Sequence, residues 1–194
     1  MTRIAIIQGH PTSGGGHFCH ALAEAYAEGA VAGGHQVRFI TVADLDFPLL
    51  RAKADWEGAA SPAVITEAQR TLAWAEHLVF VYPLWLGGMP ALLKGFLEQS
   101  LRPAFMTGGA GAGSSWKTSL KGRSSRIVIT MGMPAFVYRW YFGAHSLKSL
   151  KRSILSLIGI GPNRHTLIGM IEGMSDGRRT AWIDAMRRLG KRAR

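Results

Sequence analysis

Two histidines and a run of glycines stand between the first apolar segment of the chain and the first helix-like segment. This stretch reads Gly9-His10-Pro11-Thr12-Ser13-Gly14-Gly15-Gly16-His17-Phe18-Cys19. Glycine amides and the unpaired amides at a helix N-terminus together favour binding of a phosphate. The side-chain donors here are those of His10, Thr12, Ser13 and His17. The stretch predicts an anion-binding loop, and the alternative is an ordinary turn with surface histidines.

A proline and three large apolar residues follow the third apolar segment, in the order Tyr82-Pro83-Leu84-Trp85-Leu86. Proline ends the hydrogen-bond ladder of a strand, so the residues after it lie at the open end of a sheet. There they would form an apolar wall, with backbone amides, against a planar heteroaromatic ring. Trp85 alone is equally typical of an ordinary buried core residue.

A third stretch with potential chemistry, Thr130-Met131-Gly132-Met133, follows the fourth apolar segment. Gly132 allows the backbone to approach a ligand closely. Five aromatic residues come next within seven positions, namely Phe136, Tyr138, Trp140, Tyr141 and Phe142. They would line a substrate, or bury a loop or a dimer contact, and the residues alone leave both alternatives open.

Five short segments rich in Ile and Val predict strands, and the segments between and after them predict helices. The predicted strands are Arg3–Gln8, Gln36–Val42, His77–Tyr82, Ser125–Met131 and Arg164–Gly169, and the predicted helices are Phe18–Gly33, Ala63–Ala75, Pro90–Ser100, Ser146–Ile158 and Asp176–Lys191. Such alternation indicates a parallel sheet with helices on both faces. Five strands favour the order 2-1-3-4-5, in which ligands bind beyond the carboxyl ends of the strands. The three stretches above follow strands one, three and four, and so belong to that edge.

The composition is typical of a soluble globular protein, and 194 residues suit one α/β domain over residues 1–194. No apolar run approaches the roughly 20 residues that a membrane span needs, and the first run is too short for a signal peptide. Cys19 is the only cysteine, which excludes an intramolecular disulfide and a cysteine-based zinc site. We expect no metal and a cytoplasmic location.

Positive charge is concentrated in the second half of the chain. Residues 1–100 carry 6 basic and 9 acidic side chains, residues 101–194 carry 17 and 3, and the net charge is +11. This asymmetry is typical of proteins that meet nucleic acid, an acidic membrane surface or a phosphate-bearing cofactor, and also of a solvated basic face. No recognition motif accompanies it, so we expect no nucleic-acid partner. The glycine-rich stretch 108–115 does not begin a P-loop, because Trp116 stands at the position where that motif requires its second glycine.

The order of residues around Trp85 resembles the flavodoxin-like NAD(P)H quinone oxidoreductases, the family of DT-diaphorase, the modulators of drug activity B and the ancillary proteins of glutathione-gated potassium efflux. The matching residues are Pro83-Leu84-Trp85 with Pro90-Ala91-Leu92-Leu93-Lys94-Gly95, and, along nearly the whole chain, His10-Pro11, Asp44-Leu45, Ala75-Glu76 and Leu120-Lys121-Gly122. This resemblance implies a flavodoxin-like three-layer sandwich, an α/β fold with a five-stranded parallel sheet of order 2-1-3-4-5.

The same resemblance implies the positions of a flavin and of the catalytic residues. The ring would contact Pro83, Leu84, Trp85 and Leu86, and its polar edge Thr130, Met131, Gly132 and Met133; the phosphate would contact His10, Ser13, His17, Phe18 and Cys19. Tyr138 and His145 would line the substrate side as catalytic residues, since histidine donates protons near neutral pH. The family places Ser-Phe-Asn where this chain has His17-Phe18-Cys19, two residues later.

The implied activity is transfer of two electrons from NAD(P)H, through FMN, to a quinone or similar small acceptor by a ping-pong mechanism. FAD is the alternative cofactor; FMN is preferred because little chain follows strand five and its helix. The alternative function is that of a flavin-binding regulatory subunit of a membrane transporter of the potassium-efflux type. The resemblance also implies a homodimer, with the aromatic residues after strand four and the stretch 108–115 as candidate contacts.

Overall fold

One parallel sheet organises the computed structural model, which describes residues 1–58, 61–107 and 120–194. Its strands are β1 (Arg3–Gln8), β2 (Gln36–Thr41), β3 (His77–Pro83), β4 (Ser124–Thr130) and β5 (Asn163–Ile168), in the order β2-β1-β3-β4-β5. Order and parallel pairing are those predicted, and each strand differs from its predicted bounds by no more than one residue at either end. The predicted dimer contact at 108–115 lies outside the described residues.

Helices cover both faces of the sheet, as predicted. They are α1 (Phe18–Ala32), α2 (Lys53–Glu57), α3 (Ala63–Trp74), α4 (Ala91–Ser100), α5 (Pro103–Met106), α6 (His145–Lys148) and α7 (Asp176–Lys191). Alternate residues of each strand face opposite ways: Ile4 and Ile6 pack with α1 and α7, whereas Ala5 and Ile7 pack with α3 and α4. None of the helices that the structure describes is long and apolar enough to cross a membrane.

The helix predicted over Ser146–Ile158 is present, but most of it is not α-helical. Only α6 is α-helical, and the chain continues as a π-helix over Ser149–Ser156. Leu150 and Leu155, five residues apart, are both buried, and five is the hydrogen-bond spacing of a π-helix. The short helices α2 and α5 were not predicted, because each has too few residues to show a periodic apolar stripe.

Two glycines fix α1 against α7. A Cβ atom on Gly29 would collide with the carbonyl oxygen of Arg187, and one on Gly190 would collide with that of Tyr26. The backbones of the two helices therefore touch at both points, which no larger residue would permit. This contact holds α1, and with it the predicted anion-binding loop at its N-terminus, in place beside the sheet.

At the end of the sheet where the strands begin, His77 is the first residue of the central strand β3 and is buried. Its Nδ1 shares a 2.7 Å hydrogen bond with the hydroxyl of Ser124. Burial, followed by the positive charges of Arg126, Arg164 and the His35 imidazolium, lowers the pKa of His77 from 6.5 to about 4. The folded chain therefore keeps this ring neutral at pH values where the unfolded chain protonates it.

We predict a loss of stability in acid that His77 controls. Because folding lowers the pKa of His77, the free energy of unfolding falls as the pH drops from about 6.5 to about 4. The loss is about 3 kcal/mol. Urea unfolding at pH 7.0 and pH 4.5 should show a smaller difference for His77→Gln than for the unaltered chain. The control His145→Gln removes an exposed histidine and should keep the full difference. An equal pH difference in all three proteins would contradict the assignment.

Candidate functional site

Three loops meet where β1, β3 and β4 end. The Gly9 amide donates to the carbonyl oxygen of Val81 (2.8 Å), and the Leu84 amide donates to that of Thr130 (2.7 Å). The ring centroids of His10, in the first loop, and Trp85, in the third, lie 6.3 Å apart. The structure thus brings together the three stretches in which the sequence predicted chemistry.

A cluster of three histidines forms the floor of the first loop. The rings of His10 and His17 stack with centroids 4.0 Å apart, and the ring of His20 lies 5.2 Å from His10 and 5.7 Å from His17. His20 was not predicted as a site residue. Both of its ring nitrogens are buried, and neither has a hydrogen-bond partner among the described residues. Unsatisfied buried imidazole nitrogens indicate a place for a polar ligand or an ordered water.

The protonation of His10 follows from its hydrogen bonds. Its Nδ1 accepts from the Thr12 amide at 3.1 Å, so the proton of the neutral ring is on Nε2. Burial and then the positive charges of the His17 and His20 rings lower the pKa of His10 below 6.5. The neutral form of the His10 ring is therefore favoured, and a nearby anion would oppose this effect by favouring its protonated form.

The glycine backbone above the cluster is open. Gly14, Gly15 and Gly16 have φ values of +84°, +82° and +81°, and a Cβ on any of them would meet nothing within 4 Å. Side-chain crowding therefore does not explain these glycines, whereas the left-handed backbone conformation does. Ser13 and His17 lie exposed on this loop. Among the described residues, no group of three or more His, Cys, Asp or Glu side chains has the geometry of a metal site.

Cys19 and Thr130 join the first loop to the fourth. Cys19 Sγ lies 3.1 Å from Thr130 Oγ1, and both side chains are buried. Burial raises the pKa of the Cys19 thiol to about 11, so the residue is a buried thiol rather than a reactive thiolate. Both residues were predicted to contact the cofactor; in the structure their side chains hold the start of α1 against the end of β4.

The third loop presents apolar side chains on a strained turn. Trp85 and Gly88 exchange two backbone hydrogen bonds, of 2.9 and 2.8 Å. Between them Leu86 (φ +46°) and Gly87 (φ +75°) both have left-handed backbone conformations, the pattern of a type I′ turn. Leu86 is fully exposed and Trp85 half-exposed, whereas Pro83 is buried. A fully exposed leucine with a left-handed backbone adds strain and buries no apolar surface, so it does not stabilise the fold. This combination indicates that the side chain contacts a ligand.

The fourth loop differs from its prediction in two side chains. Met131 and Tyr138 are both buried in the core. The Tyr138 hydroxyl lies 2.6 Å from Ser146 Oγ and accepts a hydrogen bond from the Leu147 amide at 3.0 Å. Tyr138 thus fixes the start of α6 and does not present its hydroxyl to the open edge. Met131 can offer a ligand only its carbonyl oxygen, because its amide donates to the carbonyl oxygen of Ile168 at 2.9 Å. The other predicted catalytic residue, His145, is exposed at the first position of α6.

A carboxylate that the sequence analysis missed lies at the same edge. A Cβ on Gly132 would lie 3.1 Å from Glu172 Oε1. Glu172 belongs to the loop after β5, which the Met170 amide fixes by donating to the carbonyl oxygen of Met133 at 3.2 Å. Arg179 holds the same loop through a 2.7 Å hydrogen bond to the carbonyl oxygen of Ile171. The sequence did contain a signal for Glu172: it is a lone acidic residue before a glycine, in the segment that follows the predicted strand Arg164–Gly169.

Comparison with known proteins agrees with this architecture. Residues 2–191 match a family model described as a flavodoxin-like fold. The chain belongs to this flavodoxin-like family. A Haemophilus influenzae protein named an uncharacterized NAD(P)H oxidoreductase is 27% identical over 190 residues, which are 92% of this chain and 89% of that protein. Other curated relatives match over less than two thirds of their own length.

Solved structures of oxidoreductases have the same fold. An NAD(P)H:quinone oxidoreductase from Methanothermobacter marburgensis has a TM-score of 0.79 at 21% identity, covering 98% of this chain and 94% of that one. An FMN-dependent NADH-azoreductase from Bacillus anthracis, in complex with FMN, has a TM-score of 0.74 at 16% identity, covering 99% of both chains. The predicted fold and the predicted resemblance to flavodoxin-like NAD(P)H quinone oxidoreductases are confirmed.

We predict that the turn at Leu86 is not optimised for stability. Leu86→Gly removes a left-handed strain of about 1–2 kcal/mol and adds about 0.4–1 kcal/mol of unfolded-state entropy. Thermal and urea unfolding should therefore give an unchanged or slightly higher stability. The control Gly87→Ala, one residue on, adds strain and should lower the free energy of unfolding by about 1 kcal/mol. A clear destabilisation by Leu86→Gly would mean that this side chain supports the fold.

Proposed function

We propose that this chain is an FMN-dependent NAD(P)H oxidoreductase that passes two electrons to a quinone or similar small acceptor by a ping-pong mechanism. The observation that carries the proposal is the exposed apolar surface of Trp85 and Leu86 beside the histidine cluster. An apolar wall next to an anion-binding loop suits a ligand with a planar ring at one end and a phosphate at the other. FMN has this form. The names of the relatives and of the FMN-dependent structural neighbour support the same activity.

The residues at the three loops fit this cofactor. Nothing lies within 4 Å of a Cβ placed on Gly14, Gly15 or Gly16, and the buried nitrogens of His20 have no hydrogen-bond partner among the described residues. We assign the phosphate to the amides of these three glycines, to the N-terminus of α1 beginning at Phe18 and Cys19, and to the side chains of His10, Ser13 and His17. We assign the ring to Pro83, Leu84, Trp85 and Leu86, with main-chain groups of Thr130, Met131, Gly132 and Met133 at its polar edge.

When bound, the flavin would supply hydride acceptance and two-electron transfer. The residues of this chain bind and orient the reactants. Trp85 and Leu86 keep the ring site apolar, and the exposed His145 is proposed to donate a proton to the acceptor. Tyr138 acts as a positioning residue, since its hydroxyl is bonded to Ser146 and to the Leu147 amide. Donor and acceptor would share the exposed surface of Trp85 and Leu86, so they would bind there in turn.

No specific observation favours the alternative role as a transporter subunit. That role, the homodimer, the choice of FMN over FAD and the cytoplasmic location all stay predictions.

The first test is uptake of FMN and its dependence on Trp85. The purified chain should quench the fluorescence of added FMN, and the bound flavin should bleach when NADH or NADPH is added without oxygen. Trp85→Ala should weaken FMN binding about tenfold, as expected for an aromatic contact of about 1–1.5 kcal/mol. Phe39→Ala, which removes another part-exposed aromatic ring from β2, should leave binding unchanged. Absence of FMN uptake, or equal losses in both variants, would refute the proposed site.

The second test concerns the phosphate. Because the pKa of His10 is lowered below 6.5, its ring is neutral at pH 8 and must take up a proton to attract a phosphate dianion as a cation. FMN affinity should therefore rise as the pH falls from 8 to 6.5, by up to about tenfold per pH unit for each proton taken up. Riboflavin lacks the phosphate and should bind more weakly, with no such dependence. His10→Gln, which removes the titrating ring, should flatten the FMN profile. Parallel profiles for FMN and riboflavin would contradict this assignment.

A further inference from the structure

A groove beside β5 adjoins the candidate flavin site, and the function proposed above does not use it. It comprises two neighbouring cavities of about 330 and 510 Å³, which share Arg139, Trp140, His165 and Leu167. The first cavity begins at Ala135, three residues after Gly132 on the same loop. We call the pair the β5 groove. Its size lies within the range of small-molecule sites.

The β5 groove carries positive charge without acidic compensation. Arg139, Lys148, Lys151 and Arg152 line it, and no Asp or Glu is among the described residues that do. None of the ion pairs that join described residues includes any of these four side chains. Burial, followed by the positive charges of Lys151 and Arg139, lowers the pKa of His165 at the centre of the groove. A ligand that fits this field is polyanionic.

The groove also has an exposed aromatic side. Phe136 and Trp140 are both mostly exposed, and the Arg139 guanidinium lies 5.5 Å from the centre of the Trp140 ring. Aromatic and guanidinium surfaces together are suited to stacking a heteroaromatic base. Base stacking beside several cations is the chemistry that recognises a nucleotide with more than one phosphate.

A second copy of the chain is a poorer occupant. A two-fold symmetric contact would bring the same four cations against their own copies, and residues 101–194 contain only 3 acidic side chains. A nicotinamide dinucleotide fits better, because it combines a heteroaromatic base with several phosphate charges, which match the aromatic side and the cations of the groove. Its pyrophosphate carries about two negative charges, and a 2′-phosphate adds roughly 1.5–2 more. Four uncompensated cations match the phosphorylated form.

We infer that the β5 groove binds the adenosine 2′-phosphate end of NADPH and makes NADPH, rather than NADH, the preferred electron donor. This inference rests on the proposed function and deepens it by naming the donor and the residues that select it. Lys151 and Arg152 act as specificity-determining residues for the 2′-phosphate, and Trp140 provides the surface on which the adenine stacks.

The test compares two nucleotides that differ in the 2′-phosphate. By calorimetry, 2′,5′-ADP should bind at least about tenfold more tightly than 5′-AMP, the difference expected for a phosphate held by two cations. Lys151→Gln with Arg152→Gln should abolish most of that difference. Arg188→Gln with Lys191→Gln, on exposed positions of α7, removes the same charge and should keep it. Equal binding of both nucleotides, or equal losses in the two double variants, would overturn the inference.

Kinetics separate this inference from the proposed function. The Lys151/Arg152 double variant should lower kcat/KM for NADPH about tenfold and leave that for NADH within about twofold, because only NADPH carries the 2′-phosphate. If both donors are oxidised with equal kcat/KM and the double variant changes neither value, the assignment of the groove is refuted. The proposed oxidoreductase activity would not be affected by that result. Failure to bind FMN or oxidise either donor would refute the proposed function, while the calorimetry still decides the groove. A change in oligomeric state without a change in nucleotide binding would make the groove a subunit interface and overturn the inference.

Discussion

The candidate site depends on the end of β4, where Thr130 joins the loops that surround it. Its carbonyl oxygen accepts a hydrogen bond from the Leu84 amide, and its hydroxyl lies 3.1 Å from Cys19 Sγ. One residue thus fixes both the turn that exposes Trp85 and the helix start that carries the histidines. The partners are all buried or nearly so, and a buried hydrogen bond is costly to leave unmade. The distance between the histidine cluster and the apolar wall is consequently set by the sheet and not by the loops themselves.

Much of this arrangement could be read from the sequence, because local chemistry dictates it. Runs rich in Ile and Val marked β1, β3 and β4, and Pro83 marked where β3 ends. Residues that depend on packing between elements could not be found in this way. His20 joins His17 only because α1 begins at Phe18 and places the two rings on one side of its first turn. Glu172 reaches Gly132 only because the loop after β5 packs on the loop after β4. Among five closely spaced aromatic residues, the sequence could not tell that Tyr138 alone is buried.

The exposed apolar residues of the third loop are explained by ligand binding and not by packing of the core. The core on the α3 and α4 side of the sheet is complete without Leu86, which projects into solvent from a left-handed backbone. Natural sequences normally place glycine, asparagine or aspartate at such a turn position. Strain of this kind persists when the surrounding structure enforces it, and it concentrates at ligand sites. The two backbone hydrogen bonds between Trp85 and Gly88 supply that enforcement here.

Charge is distributed along the open edge in a way that constrains how two reactants could share it. The histidine cluster lies at one end and the four cations of the β5 groove at the other, with the apolar surface of Trp85 and Leu86 on the same edge. Anionic groups are attracted to the ends, so the rings attached to them are directed toward the apolar surface. Under the proposed function, a nicotinamide donor anchored in the groove would cover the apolar surface of Trp85 and Leu86. It would have to leave before an acceptor could bind there, and this would give the proposed ping-pong order.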